Sequence, residues 1–460
     1  MGNTLGATQI EADAPREVSV AGRRKTAFPS ALVWDSIGYF ASKVVPGFMG
    51  LISVPVFIRM IGMEQYGRFA VIVPLLMAVA GASSGWIAQG ILRFHPLATD
   101  GRQRKNVFDR AVRRGTVMSV LLTSAALGAL LVGMRYSFGT VLISLAFCSS
   151  LLAYTVSLAK FQANLQPTSV LWREIVRSVG GLVLPVAIVE LSGWKRFELV
   201  ILGQAIAYTI VLFPSVRPRK EANEEIPYLL RDDHRAASSP DDTIRQLWHF
   251  GWALAFWLLL SQLFPVIDRW VIHRFAGYAN AGVYASLYEV AVRSFSFLVF
   301  PLTQAAHPRI MRSWNEGKFS ESYKIIRYSV ISQLGIFVFV LGGVYLFSRP
   351  ICRLILGFDS PAAARMLPIL IVGGFLWQLA LLLHKPMEIA KKTRAMLASM
   401  AAVVVVNVAA CFLFIPRFGY SAAADVLVLS ASCYIALTLV MTRFSIFRGP
   451  SAAAEAFEVL

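Results

Sequence analysis

Charged residues are scarce in this sequence. Only 15% of its 460 residues are Asp, Glu, Lys or Arg, whereas 57% are hydrophobic. In soluble domains about a quarter of the residues are charged. A soluble domain of this length could not bury so much apolar surface in one core. The composition therefore excludes a soluble globular protein and predicts that lipid surrounds most of the chain.

Motifs for common enzymatic and metal chemistry are also missing. The sequence contains no Walker A loop and no His-Glu-x-x-His zinc site. Its few cysteines lie in or beside apolar stretches without paired spacing, which argues against a zinc site or a disulfide framework. We therefore predict a protein that is not an enzyme, with no cofactor and no metal site. The four cysteines are Cys148, Cys352, Cys411 and Cys433.

Acidic residues are outnumbered by basic ones, 26 to 44, which gives a net charge of +18. In a soluble protein such an excess would indicate nucleic-acid binding. Here the basic residues lie between apolar segments, where they face the anionic surface of a membrane. The charge therefore predicts membrane lipids as partners and no nucleic acid.

The apolar residues are grouped into about twelve segments that are long enough to be transmembrane helices. A helix needs about 20 mostly apolar residues to cross the hydrocarbon core. Six segments precede a charged stretch that contains three prolines, and six follow it, which predicts two six-helix bundles at 31–216 and 244–445. We interpret 1–30 and 446–460 as cytoplasmic tails and 217–243 as a cytoplasmic linker. The predicted spans are 32–58, 67–91, 116–134, 139–160, 171–191, 197–214, 247–271, 282–306, 325–347, 363–384, 395–415 and 420–442.

Every second loop is rich in Lys and Arg, as in RFHPLATDGRQRKNVFDRAVRR and HPRIMRSWNEGKFSESYKIIR. Basic loops remain on the cytoplasmic side of a membrane. The alternation holds along the whole chain, so it predicts an even number of spans and two cytoplasmic termini.

The two halves also contain similar segments. IRMIGMEQYGRFAV in the first half and IHRFAGYANAGVYASL in the second each place an Arg before a Gly/Tyr turn that starts a helix. Two copies with the same orientation predict parallel repeats related by an axis along the membrane normal.

Four ionisable residues of two predicted spans are candidates for a functional role, because charge within a membrane is costly and often functional. Asp35 and Lys43 share the first span, and Glu289 and Arg293 lie four residues apart in the eighth. Lys43 is predicted either to face an internal cavity or to reach the interface or a buried acid. Arg293 is predicted either to be neutralised by Glu289 or to remain partly free to bind phosphate through its planar fork.

Three further charges lie near predicted span ends. Asp268 and Arg269 follow Pro265 at the end of the seventh span, and Arg59 ends the first. Charges are less costly near the interface, so we interpret these residues mainly as anchors and, as a weaker alternative, as gating residues.

Two segments carry a resemblance to a known family. LISVPVFIRMIGMEQYGRFAVIVPLL and VIDRWVIHRFAGYANAGVYASLYEVAV resemble the opening of each half of the polysaccharide-export and O-antigen flippases. Their superfamily also contains multidrug/toxin extruders and lipid II flippases. The resemblance covers residues 30–445.

The resemblance implies a MATE-like, all-α integral membrane fold, in which two six-helix bundles face each other around a central cavity. It implies that the substrate is a polyprenyl-diphosphate-linked oligosaccharide, translocated across the bacterial cytoplasmic membrane for surface polysaccharide synthesis. A polysaccharide polymerase and export proteins are the partners that it suggests. Lys43 and Arg293 lie where such relatives commonly place cationic cavity residues.

Two other functions remain open from the sequence. An ion-coupled drug extruder of the same fold should offer acidic cavity residues, and here Asp35 and Glu289 each have a basic neighbour. A membrane enzyme such as an oligosaccharide polymerase would need catalytic residues on a sizeable loop. The sign of the charge in the cavity distinguishes a lipid diphosphate from a cationic drug.

Overall fold

The computed structural model describes residues 30–98, 102–164, 166–213, 239–315, 317–389 and 392–444. Within those ranges the only regular secondary structure is helical, so the predicted all-α class is confirmed. The predicted tails fall almost entirely outside the described residues, and so does most of the predicted linker. The helices are α1 (Ser30–Ile61), α2 (Met63–Ala98), α3 (Arg102–Gly133), α4 (Phe138–Ala163), α5 (Pro167–Ser192), α6 (Phe197–Leu212), α7 (Pro240–Asn315), α8 (Phe319–Leu356), α9 (Pro361–Leu383), α10 (Lys385–Ile389), α11 (Thr393–Phe418) and α12 (Ala422–Met441).

Ten of these helices are long and apolar enough to cross a membrane. The shorter α6 has 16 residues, and α7 contains two of the predicted spans. Local capping marks several ends: the hydroxyls of Ser137 and Ser360 accept backbone N–H bonds at the starts of α4 and α9. Gly193 and Gly357 end α5 and α8 in the left-handed conformation, which glycine adopts without strain.

The long helix α7 reverses direction at Gly277, where φ is 85° and ψ is 169°. Bonds join residues on either side of this break: the Tyr284 hydroxyl donates to Asp268, and Arg269 pairs with Glu289. The chain therefore folds back on itself as two helices, which we name α7a (240–276) and α7b (278–315).

The predicted internal similarity has a structural counterpart at this turn. Gly62, between α1 and α2, has φ of 83°, and Gly277 has φ of 85°. Five residues after each turn lies a second glycine, Gly67 or Gly282, and these two glycines contact each other. A Cβ on Gly67 would lie 3.2 Å from the Gly282 nitrogen, and a Cβ on Gly282 would lie 3.1 Å from the Gly67 nitrogen. Such reciprocal contacts are what a two-fold relation between the halves produces.

Helix α2 packs antiparallel to α7a along its length and joins the first half of the chain to the second. A Cβ on Gly251 would lie 2.4 Å from the carbonyl oxygen of Trp86, and one on Gly85 would lie 3.4 Å from the Ala255 Cβ. Small residues at such crossings allow helix backbones to approach closely, which replaces the hydrophobic driving force that is missing in lipid.

Candidate substrate cavity

A cavity of about 370 Å³ is lined by residues of α1, α2, α4, α5, α6, α7a, α7b, α9 and α12. Its walls combine aromatic and aliphatic side chains with a small number of polar groups, as is typical of ligand sites. Among the described residues, four charged side chains line it: Arg177, Arg269, Glu289 and Arg293. The cavity therefore contains more basic than acidic groups.

Glu289 lies between two arginines. One of its carboxylate oxygens accepts from Nη2 of Arg269 at 2.7 Å, and the other accepts from Nε of Arg293 at 2.8 Å. Arg269 also donates through Nη1 to the carbonyl of Ala70 on α2 at 3.2 Å, and its guanidinium carbon lies 5.2 Å from the centre of the Tyr288 ring. One carboxylate thus serves two cations, which leaves this group with a net positive charge.

Arg293 is the more accessible of the two arginines, with 40% of its side chain exposed against 2% for Arg269. Its guanidinium lies against α1, where a Cβ on Gly50 would be 1.6 Å from Nη1. The absence of a side chain at Gly50 therefore makes room for the cation. Among the described side chains, Glu289 is its hydrogen-bonding partner, through Nε. The two terminal nitrogens remain available for an anion in the cavity.

Arg177 supplies a cation from the other half of the chain. Its Nε and Nη2 donate to the same carboxylate oxygen of Glu174, at 3.0 and 2.7 Å. Sequence reasoning missed this pair because the fifth span was predicted to start at 171, with these charges at its end. Helix α5 begins at Pro167 instead, which places Arg177 almost three turns inside. The sequence did contain a pattern that could have indicated this pair. Glu174 precedes Arg177 by three residues, which is the same acid-before-base order as in Glu289 and Arg293.

Asp268 and Arg269, which the sequence placed near the end of the seventh span as anchors, are both buried. Their exposed fractions are 0% and 2%. Helix α7a continues to residue 276 instead of ending at 271, so both residues lie about two turns from its end. Arg269 lines the cavity, whereas Asp268 lies behind the cavity wall, 3.4 Å from Asn407 and 3.1 Å from Cys411 on α11.

Arg59 lies in the last turn of α1, as predicted, and its Nη2 donates to the carbonyl of Leu354 on α8 at 2.7 Å. This bond joins the first half of the chain to the second near the end of α1. Its gating role remains a prediction.

Asp35 and Lys43 lie on α1, but their side chains fall outside those that the structure describes. Their place in the cavity remains a prediction.

One sequence pattern could indicate enzymatic chemistry. Gly81–Gly85 has the Gly-x-Ser-x-Gly spacing of a hydrolase nucleophile turn. It lies inside α2, however, where the hydroxyl of the central Ser83 accepts from the Thr123 hydroxyl on α3 at 2.7 Å. A nucleophile turn requires a strand followed by a helix. Among the described residues, no group of three or more His, Cys, Asp or Glu could hold a metal ion.

Apolar helices thus enclose an internal cavity into which several charged side chains project. The family model described as "Polysaccharide biosynthesis protein" matches residues 33–314, and the chain belongs to that family. A second family model, MatE, matches residues 253–413. The sequence has no significant match among curated proteins.

Solved structures share the fold. The lipid II flippase MurJ in an inward closed conformation has a TM-score of 0.63 and 14% identity, over 93% of this chain and 91% of that one. A Vibrio cholerae MATE transporter has a TM-score of 0.60 and 16% identity, over 90% and 98%. A Pyrococcus furiosus transporter of the MOP superfamily, described as having a binding pocket of reversed polarity, has a TM-score of 0.58 and 13% identity, over 90% and 95%. The chain therefore has the fold of the MOP-superfamily flippases and transporters, which confirms the predicted MATE-like class.

Proposed function

We propose that this protein translocates a polyprenyl-diphosphate-linked oligosaccharide across the bacterial cytoplasmic membrane by alternating access. The product would feed surface polysaccharide synthesis, with a polymerase and export proteins acting downstream. The family supports a role in polysaccharide biosynthesis, and the fold supports a transporter.

The observation that carries the proposal is the position of Arg293. Its terminal nitrogens face the cavity without a partner among the described side chains, while its Nε is fixed by Glu289. A guanidinium held in this way can bind phosphate oxygens in a bidentate manner. In the weakly screened membrane interior its charge offsets the cost of burying a diphosphate.

The second barrier to lipid flipping is the loss of water from the sugar hydroxyls, and polar groups in the cavity lower it. Each sugar hydroxyl that enters hydrocarbon without a partner costs several kcal/mol, roughly 2 to 7. Polar groups in the cavity, such as Gln204 and Gln262, provide replacement partners. The polyprenyl chain remains in the bilayer and passes between the helices.

The extrusion of cationic drugs is the second candidate, and the MatE match over residues 253–413 favours it. Such a substrate needs an available carboxylate. Glu289 is the acidic residue in the described cavity lining, and both of its oxygens accept from arginines. The charge arrangement therefore supports an anionic substrate over a cationic one.

The test compares two substrates in proteoliposomes that contain the full chain. One is undecaprenyl diphosphate bearing a fluorescent hexose, and the other is a cationic dye. We expect the wild type to flip the lipid, and Arg293→Ala to lower the rate about tenfold or more, since a charge-assisted hydrogen bond contributes about 1.5–3 kcal/mol. Arg293→Lys keeps the charge but lacks the fork, so it should fall between the two. Dye transport without lipid flipping would instead establish the extruder.

A further inference from the structure

A groove on the exposed surface of α3 carries two arginines at one end. Its volume is about 400 Å³, and its side chains form two rows in which consecutive members are four residues apart. Rows of this spacing form ridges along a helix. Each row starts with an arginine and continues with two apolar side chains. The rows are Arg113, Val117 and Leu121 on one side of the groove and Arg114, Met118 and Leu122 on the other.

We infer that this groove binds an anionic phospholipid of the surrounding membrane. The phosphate lies between the two guanidiniums, and one acyl chain lies along the groove between the apolar side chains. Helix α3 contributes no residue to the described lining of the central cavity. The phospholipid site is therefore separate from the proposed substrate site and does not depend on the proposed function.

The apolar part of the groove faces hydrocarbon. The segment Lys105–Gly133 of α3 is long and apolar enough to cross a membrane. From residue 113 to residue 122 the helix rises about 14 Å, close to half the thickness of the hydrocarbon core, about 15 Å. The groove therefore matches an acyl chain of one leaflet in length. The four apolar side chains are 45–64% exposed: Val117, Met118, Leu121 and Leu122.

The other end of the groove offers hydrogen-bond donors. Among the described residues, Arg113 has no ion pair and no side-chain hydrogen bond. Arg114 lies 3.7 Å from Asp241 of α7a, which is beyond hydrogen-bond distance, and 63% of its side chain is exposed. Asp109, one turn before Arg113, accepts from Lys160 of α4 at 3.0 Å. Both guanidiniums therefore retain N–H groups for phosphate oxygens, which suit the planar fork of arginine.

The combination of the two ends selects the class of ligand. A soluble anion or an acidic peptide would use the arginines but would leave the apolar rows uncovered. A zwitterionic phospholipid would fill the groove, but it would bring a second cation beside the two arginines. An anionic phospholipid satisfies both ends, and basic residues beside a transmembrane helix attract such lipids.

The experiment uses the full-length protein in phosphatidylcholine vesicles that contain a small amount of a photoactivatable lipid. The probes are phosphatidylglycerol and phosphatidylcholine, each with a diazirine on one acyl chain, and peptide mass spectrometry locates the labelled residues. We expect phosphatidylglycerol to label residues 117–122 more strongly than phosphatidylcholine does. Arg113→Gln and Arg114→Gln should each lower this labelling about fivefold, the usual effect of one basic residue near a membrane surface. Labelling by phosphatidylcholine should not change.

Exposed arginines elsewhere provide a matched control. Arg349 of α8 and Arg417 of α11 are both exposed. The double variant Arg349→Gln with Arg417→Gln removes the same charge as Arg113→Gln with Arg114→Gln, but it should leave the labelling of residues 117–122 at the level of the wild type. Because all four side chains are exposed, we expect the same temperature of denaturation in both double variants.

Three results would overturn the inference. They are equal labelling of residues 117–122 by the two probes in the wild type, undiminished phosphatidylglycerol labelling in Arg113→Gln with Arg114→Gln, and an equal loss of labelling in the control variant. Competition then identifies the source of the phosphate. Unlabelled phosphatidylglycerol should displace the probe at least as well as undecaprenyl diphosphate does. Stronger displacement by undecaprenyl diphosphate would make the groove a site for the transported lipid and would also overturn the inference. None of these results affects the proposed function, which concerns the central cavity.

Discussion

Gly67 on α2 and Gly282 on α7b lie against each other, and a Cβ on either would approach the backbone nitrogen of the other to about 3.1–3.2 Å. The contact is tighter still at one neighbour, since a Cβ on Gly67 would lie 1.8 Å from the carbonyl oxygen of Tyr278. Backbone at a helix crossing cannot move aside as the end of a flexible side chain can. This crossing therefore holds the two halves together beside the turns at Gly62 and Gly277.

The first prediction concerns this crossing. Gly67→Ala should destabilise the protein by about 1–3 kcal/mol, the usual cost of overpacking, because two helix backbones must separate. We expect a lower temperature of denaturation for the detergent-solubilised protein, measured by tryptophan fluorescence. Gly81→Ala on the same helix is the control, since a Cβ there meets no atom within 4 Å. Equal stability of both variants would show that the crossing tolerates a methyl group.

A second prediction follows from the carboxylate between two arginines. Glu289→Gln should cost about 3–5 kcal/mol, because Arg269 is fully buried and would lose its counter-charge. The double variant Glu289→Gln with Arg269→Gln should recover part of that loss, since no buried cation remains. The yield of folded protein and its thermal denaturation measure both effects. A double variant less stable than Glu289→Gln would contradict the pairing.

The third prediction tests whether lipid flipping depends on where the Arg293 guanidinium lies, and not only on its being present. Gly50→Ala places a methyl group where Nη1 of Arg293 lies, and the flexible end of the arginine must move away. Lipid flipping should fall while thermal stability changes little, because no backbone is displaced. Here too Gly81→Ala serves as the control, and it should flip lipid at the rate of the wild type. An unchanged flipping rate in Gly50→Ala would mean that lipid flipping does not depend on the position of the Arg293 guanidinium against α1.

Arg59 gives a fourth prediction, which tests its gating role. Arg59→Ala removes the bond to the Leu354 carbonyl, which joins α1 to α8. Because the arginine is exposed, we expect stability to fall by no more than about 1 kcal/mol. The rate of lipid flipping should nevertheless change, since the contact must break and form again if the halves separate at this end. A variant with the flipping rate of the wild type would leave Arg59 as an anchor.

The ionisable residues show how much of the candidate site could be predicted from the sequence. The spacing alone placed Glu289 and Arg293 on one face of a helix, because four residues make about one helical turn, and it left open whether Glu289 neutralises Arg293. The place of Arg269 in the cavity lining was not predicted, and Arg177 was not considered, because each depends on a helix boundary: α7a ends later than predicted, and α5 begins earlier. A charge near a helix end is inexpensive, whereas the same charge two turns further inside requires a partner. The identity of that partner is a matter of tertiary contact.

Composition and long apolar runs by themselves determined the environment, the helical class and the approximate position of every described helix except the five-residue α10. They suffice because hydrocarbon provides no partner for backbone hydrogen bonds, so each apolar run must bond within itself. Only the tertiary structure decided which charges share the cavity. The fold-back of α7 at Gly277 brings Arg269 to Glu289, and the approach of α1 at Gly50 places the guanidinium of Arg293. Those contacts join residues that are distant in sequence, and no local pattern encodes them.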